Sequence, residues 1–544
     1  MKSDAKTALE YHNRTKHFPG RLARSPGYMD WQAQPNPFRH FEGAETFQLG
    51  LDLPDPVTQY KHLYDRQRNA IRPFDKRYIG KFLELSLGLS AWKSYEGDSW
   101  SLRMNPSSGN LHAEEAYLLL PSITGLGGRA GVFHYNPHNH TVEKRADIDD
   151  RLWESLANHI GGKGFFIALS TIYWREAWKY GERAFRYCNL DTGHAVACLS
   201  YSASVMGWEA TCLSSVTGRE LSSLLGYDRT EWHPGEKEES ELLLFIHGPL
   251  VNKPALDLPA GILKQFALLS FKGRPNVLSG AHHDWEIINE VSAATRRVAA
   301  KTKALKKQSR APYLETARPN VQAAAIIRQR RSGQRYDGKT GLSAEKFYAI
   351  LDRTVPREKC APFDVDIGVS SIHLLLFVHR VESLRKGLYF LCRNEDDIED
   401  FKRKCNGDFL WAGVDGSPDS LPLYFLQEGN LETASSIISC RQDIAGDGAF
   451  SVGMIARFRD NLVADPHSYR RLYWEAGLVG QVLYLEAEAH GLRGTGIGCY
   501  FDDMVHELLS LGDDSYQDMY HFTIGKAVED TRLTTLPPYH HLAG

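Results

Sequence analysis

Two short stretches of this chain carry side chains suited to opposite sides of one ligand. Arg330-Arg331-Ser332-Gly333-Gln334-Arg335 gathers guanidinium groups and a hydroxyl at an expected element boundary. Arginine offers planar, two-pronged donation and serine an added hydrogen bond, a combination that suits a phosphate. Pro106-Ser107-Ser108-Gly109-Asn110 has another character. Its proline fixes the chain, its glycine permits close backbone approach, and its serines and asparagine can donate and accept around the edge of a heteroaromatic ring. Taken alone, the first stretch also reads as a basic surface turn and the second as a plain loop with a helix cap. Lys179-Tyr180 adds a candidate base, since a desolvated lysine or an activated tyrosine can remove a proton from carbon. A helix-start pair with its polar tips in water is the plainer alternative.

The elements that must position these groups occur twice. Gly193-His194-Ala195-Val196-Ala197 answers to Gly477-Leu478-Val479-Gly480-Gln481, and the same offset takes Gly207-Trp208 to Gly491-Leu492 and Leu224-Leu225 to Leu508-Leu509. Upstream, Gly131-Val132-Phe133-His134-Tyr135 matches Gly387-Leu388-Tyr389-Phe390-Leu391, and near the ends Phe245-Ile246-His247-Gly248 matches Phe522-Thr523-Ile524-Gly525. Order and approximate spacing persist over four blocks. The reading is one domain at 1–255, a second at 321–544 and a helical linker at 256–320, which suits a chain of 544 residues.

Tyr473 to His490 is apolar around most of its circumference, and Gly193 to Met206 shares that character, so both are expected as buried helices packed on each other. Short strands are expected at Ala116–Leu120, Val132–Tyr135, Phe165–Leu169 and His373–Val378. Helices and strands mix without strict βαβ alternation, which points to an α+β fold.

Composition is that of an ordinary globular protein, 42% apolar and 24% charged, and a net charge of -3 excludes an electrostatic case for nucleic acid or an acidic membrane. The basic run from Arg296-Arg297 through Lys301, Lys303, Lys306, Lys307 and Arg310 lacks interleaved aromatics and reads as part of the linker. The polar Met1-Lys2-Ser3-Asp4-Ala5-Lys6 and the absence of a long apolar run lead to the expectation of a cytoplasmic protein. Eight scattered cysteines without CxxC or zinc spacing read as reduced thiols. Gly125-Leu126-Gly127-Gly128-Arg129-Ala130 fits GxGxxA, but an expected strand follows where dinucleotide binding needs a helix. His134, His138 and His140 straddle the Asn136-Pro137 turn and read as a solvated hairpin rather than a metal site.

Taken together, Tyr11–His17, Arg103–Gly109, Lys179–Arg183, Arg330–Ser332 and Gly491–Gly498 resemble the nitroreductase superfamily, and within it the SagB-type dehydrogenases that include azoline oxidases. That resemblance spans nearly the whole chain and implies tandem nitroreductase-like domains forming an intramolecular pseudo-dimer. It implies an FMN at the interface, with Arg330, Arg331, Ser332 and Arg532 toward the phosphate. Pro106, Ser107, Ser108 and Asn110 would face the isoalloxazine, and the Gly498 amide would lie near N5. Gln334 stands where the family often has a basic residue near the flavin pyrimidine, so a charge that would stabilise an anionic reduced flavin is missing. Lys179 and Tyr180 resemble the catalytic pair of the azole-forming branch. The converse composite site, built from Arg14-Thr15-Lys16 and Asp364-Val365-Asp366, lacks the motifs, so one FMN per chain is expected.

Three functions stay open. One is oxidation of a small-molecule or peptide substrate of azoline type with molecular oxygen as electron acceptor. A second is an NAD(P)H-dependent reductase of nitro or quinone compounds. The third is a flavin-free partner in a biosynthetic complex.

Overall fold

The computed structural model describes residues 3–64, 69–298, 313–314 and 321–542. Lys301, Lys303, Lys306, Lys307 and Arg310 of the basic run lie outside the described residues. Two antiparallel seven-stranded sheets dominate. The first runs in the order Glu45–Gln48, Thr141–Asp147, Gly131–Asn136, Glu114–Leu120, Gly164–Thr171, Glu239–His247, Glu209–Cys212. The second runs Ala412–Gly413, Leu423–Glu428, Gly387–Leu391, Ile372–Val378, Phe450–Arg457, Tyr516–Gly525, Arg493–Ile497. The blocks matched in sequence occupy equivalent places: Gly131–Asn136 and Gly387–Leu391 are each third in their sheets, and Glu239–His247 and Tyr516–Gly525 are each sixth. The fold is α+β.

Between the sheets lie two helices, Ala184–Val205 and Ser468–Ala489, each buried almost throughout. Glycine sets how closely they approach. A Cβ on Gly193 would stand 2.2 Å from the Trp474 carbonyl oxygen, and one on Gly477 would stand 2.1 Å from that of Leu190. The contact is reciprocal, as a two-fold relation between repeats requires.

Among the described residues, three segments cross between the halves. The amino-terminal helix Ser3–Arg14 joins the core around the second sheet through Ala5, Ala8 and Tyr11, and His12 pairs with Gln517 at 2.9 Å. The helix Ala323–Gln329 buries Ala323, Ala324, Ile326 and Ile327 in the core beneath the first sheet. Near the carboxyl terminus, Thr534–Leu536 pairs with Leu89–Tyr95, which also pairs with Asp98–Arg103, completing a three-stranded sheet.

The segment read as a helical linker is more than a spacer. Its helix Ala260–Phe266 buries Ile262 and Phe266 in the first half, Arg274–Pro275 pairs with Phe41–Glu42, and Glu286–Thr295 packs on the amino-terminal helix. Its apolar residues found a surface to cover because the outer face of the first sheet leaves one. Two of the three hairpin histidines are buried, and only His138, beside the exposed Asn139, reaches solvent. His134 is fully buried between Glu115 (2.8 Å) and Glu143 (3.0 Å), whose hydrogen bonds overcome the effect of burial and push it up to about 9. His140 is buried against Tyr135 at 3.0 Å, and burial holds it at about 3. Strand alternation turns His134 inward, where the carboxylates of Glu115 and Glu143 on neighbouring strands meet it. Among the described residues, no helix is long and apolar enough to cross a membrane.

Candidate functional site

A cavity of about 470 Å³ opens between the halves, within the roughly 300–1,000 Å³ range of small-molecule sites. Its walls include Pro106, Ser107, Ser108 and Asn110 from the first half, and Arg330, Arg331, Ser332, Gln334 and Gly498 from the second. The two stretches singled out in sequence therefore share one crevice.

The first-half wall is a loop held from below. Gly109 and Asn110 both adopt φ of 60°, the left-handed region that glycine and asparagine tolerate best. The Ser108 amide donates to both carboxylate oxygens of Asp191 at 3.0 Å, and its hydroxyl donates to Oδ1 at 2.9 Å. Asn110 Nδ2 donates to the Ser101 carbonyl at 2.9 Å, and the His112 amide donates to the Ser107 hydroxyl at 2.8 Å. These bonds are local to the protein, so the polar groups of the loop shape it as much as they face the cavity.

Beneath the loop, Asp191, Glu176 and Glu114 are buried together. Burial pushes Asp191 up to about 7 against the hydrogen bonds from Ser107 and Ser108, and burial with the Asp191 charge drives Glu176 and Glu114 well above the carboxylate range. Lys179 and Tyr180 end beside this loop: a Cβ built on Gly109 would stand 2.6 Å from the Tyr180 hydroxyl and 3.2 Å from Lys179 Nζ. Burial and the neighbouring Glu176 raise the Tyr180 phenol far above its ordinary value, so it is a hydrogen-bond donor at neutral pH.

The opposite wall is cationic. Arg330 is buried over the Tyr484 ring, its Nη2 donates to the Arg103 carbonyl at 3.1 Å, and its Nε finds no hydrogen-bond partner among the described residues. Arg331 donates to the carbonyls of Arg328, Arg330 and Ser90. Burial lowers Arg330, and burial with the charges of Arg330 and Arg493 lowers Arg331 to about 10. An anion placed here would offset the cost of burying these charges. Ser332 Oγ lies 2.9 Å from the Tyr484 hydroxyl, which also accepts the Gly496 amide at 3.0 Å.

Glycine keeps the second-half wall flat. A Cβ on Gly498 would lie 2.3 Å from the Tyr187 ring, and one on Gly496 would lie 1.8 Å from the Tyr520 hydroxyl. A buried cationic end with an unpaired N–H, opposite a flat backbone wall, fits the phosphate and ring of FMN.

Arg532, expected toward the phosphate, stands apart from the other expected site residues. It does not line the cavity; its side chain is 70% exposed and forks onto Asp530 at 2.7 and 2.9 Å, while Asp530 itself stands on the wall. Two residues apart in one turn, the pair satisfies itself before reaching any ligand. Lys93 and Asp191 from the first half, and Arg493 and Cys499 from the second, also line the cavity without having stood out in the sequence. For Arg493 the signal was present, a lone cation within Gly491-Leu492-Arg493-Gly494.

The converse site is not assembled as the sequence suggests: Asp366 and Gly368 line a small cleft, but Arg14, Thr15 and Lys16 do not. A cleft of about 100 Å³ is lined by Arg471, Glu475 and Leu478, which the repeat offset places at the positions of Tyr187, Asp191 and His194. Arg471 presses on Gly368, where a Cβ would lie 2.6 Å from its Nη1, and Glu475 is bound by Ser370, Ser371 and Arg393. Arg14 pairs with Glu182 and Lys16 with Asp503, and Thr15 is buried.

Crossing segments, duplicated sheets and an interface cavity define a tandem nitroreductase-like fold. A crystal structure from Anabaena variabilis, described as a putative nitroreductase, is 21% identical and superposes with a TM-score of 0.69 over 96% of this chain and 99% of its own. Another from Ralstonia eutropha, similarly described, is 14% identical with a TM-score of 0.28 over 42% of this chain and 97% of its own. A curated protein of Methanocaldococcus jannaschii, named a putative nitroreductase, is 25% identical over 135 residues, 24% of this chain. The match spans 66% of that relative's length. No family model matches the chain.

Proposed function

We propose that the chain binds FMN in the interface cavity and dehydrogenates an organic substrate, with a thiazoline or oxazoline of a peptide as the substrate class. The observation that carries this reading is the meeting of the Pro106–Asn110 loop and the Arg330–Ser332 segment across one cavity, with the tips of Lys179 and Tyr180 at the loop. When bound, the flavin supplies the hydride acceptor, and molecular oxygen is its electron sink. Arg330, Arg331 and Ser332 hold the phosphate by charge-assisted hydrogen bonds. Tyr180, kept as a phenol, donates to the substrate and orients it. Lys179 takes the proton that must leave carbon as hydride departs. Asp191 holds the loop in place through Ser108.

Purified protein is expected to show a bound-flavin spectrum. Arg330→Ala should weaken flavin binding by about tenfold or more, since a hydrogen bond to a charged group is worth about 1.5–3 kcal/mol. Full flavin occupancy in that variant would refute the phosphate assignment. Lys179→Ala should keep its flavin and lose on the order of 10²-fold or more in azoline oxidation. If azoline peptides are inert and anaerobic NADPH bleaches the flavin at once, the reductase reading replaces this one.

A further inference from the structure

Cys440 and Cys499 are far apart in sequence, yet the fold brings their loops together at the cavity. The Phe501 amide donates to the Ile438 carbonyl at 2.7 Å, and Gln442 Nε2 clamps the two loops by donating to the carbonyls of Ser439 (2.8 Å) and Cys499 (3.1 Å). Both thiols are free, and each side chain is close enough to shift the ionisation of the other. Cys499 lines the cavity next to Gly498. Cys440 and Arg441 take φ of 54° and 60°, consecutive left-handed positions on residues that seldom adopt them. Backbone strain of this kind is held in place only where the surroundings enforce it.

The surroundings of Cys499 favour a thiolate. His17 Nδ1 accepts the Ala23 amide at 2.8 Å, which leaves the ring proton on Nε2, and the His17 side chain interacts with Cys499. Arg183, paired with Asp502, donates to the Gly498 carbonyl at 3.2 Å and stands close by. Donation from the Cys440 thiol, then from His17, outweighs burial and holds Cys499 at about 5, while the same pairing pushes Cys440 up. Low-pKa, partly exposed cysteine beside a second cysteine is the arrangement of a reactive and a resolving thiol.

We propose that Cys499 and Cys440 form a reversible redox couple that hydrogen peroxide oxidises to an internal disulfide. The Cys499 sulfur attacks one peroxide oxygen, the O–O bond breaks, and hydroxide leaves and takes a proton to become water. Cys499 is then a sulfenic acid. The Cys440 sulfur attacks it, an S–S bond forms, and the second oxygen leaves as water. Two thiols thus give up two electrons and their protons, and one peroxide becomes two waters. The chemistry needs no flavin and goes beyond the proposed dehydrogenase activity. Its consequence reaches that site, because the disulfide would remake the wall beside Gly498.

The test uses the intact wild-type chain, with and without one equivalent of hydrogen peroxide, followed by iodoacetamide and peptide mass spectrometry. Without peroxide, Cys499 should alkylate at pH 6 about tenfold or more faster than any other cysteine, because an ordinary thiol of pKa about 8.5 is almost wholly protonated there. With peroxide, Cys440 and Cys499 should lose alkylation together and appear as one cross-linked peptide, two hydrogens lighter, which dithiothreitol reverses. In Cys440→Ser, dimedone should label Cys499. Ordinary reactivity of Cys499, or prior oxidation of other cysteines with no Cys440–Cys499 peptide, would overturn the proposal, and both are read on the wild type even if the variant fails to fold.

Discussion

Ionisable groups at the cavity are arranged so that burial opposes charge on both walls. Asp191 shows the consequence for stability. Its carboxyl stands at about 7 in the folded chain against 3.8 as an isolated group, so between these values the folded state binds more protons than the unfolded one. Stability from this source is complete below about pH 4 and is lost as pH rises through 7, on the order of 4 kcal/mol in all at about 1.4 kcal/mol per pH unit. The urea midpoint should therefore fall between pH 5 and pH 8, and Asp191→Asn should flatten that fall; an unchanged slope in the variant would place the proton elsewhere in the trio with Glu176 and Glu114. Sequence disclosed Pro106–Asn110 and Arg330–Ser332 because local chemistry marks them. It could not disclose Asp191, which sits in a helix whose every face is buried, so no periodicity separates a ligand of the Ser108 amide from a core position.

Gly193 and Gly477 decide how closely the two long helices approach. Because the obstructing atoms are backbone carbonyls, an added methyl has nowhere to move a side chain and must push the helices apart. Gly477→Ala is expected to cost about 1–3 kcal/mol, read as a lower urea midpoint, as for other overpacked cores. Because Leu190 and Asp191 are adjacent, a shift there should also loosen the loop that Asp191 holds and lower flavin affinity. Unchanged stability would mean that the helices are not closely packed at this point. Both helices were legible as apolar all round with small residues, and the strands at Glu114–Leu120, Gly164–Thr171 and Ile372–Val378 were legible as short apolar runs. The hairpin Leu89–Arg103 was not, because it has no counterpart in the second repeat and its outer strand is only partly buried. It nevertheless supplies Lys93, Trp100 and Arg103 to the cavity.

At the scale of the molecule, the two-fold relation is kept in the sheets and broken at the sites. One composite cavity of about 470 Å³ has a counterpart of about 100 Å³, where Arg471 and Glu475 replace Tyr187 and Asp191. Arg471 fills space over Gly368, and Glu475 spends its carboxylate on Ser370, Ser371 and Arg393. Opening that cleft would strip a buried carboxylate of its partners, a cost that breaking a buried pair typically puts at about 3–5 kcal/mol. Flavin released from acid-denatured protein should accordingly reach one per chain and no more. The Arg330→Ala chain separates this from a two-site molecule: with one site its flavin content should collapse toward zero, whereas an independent second site would leave half. A ratio of two in the wild type, or a half-filled variant, would mean that Arg471 swings aside and that both interfaces bind.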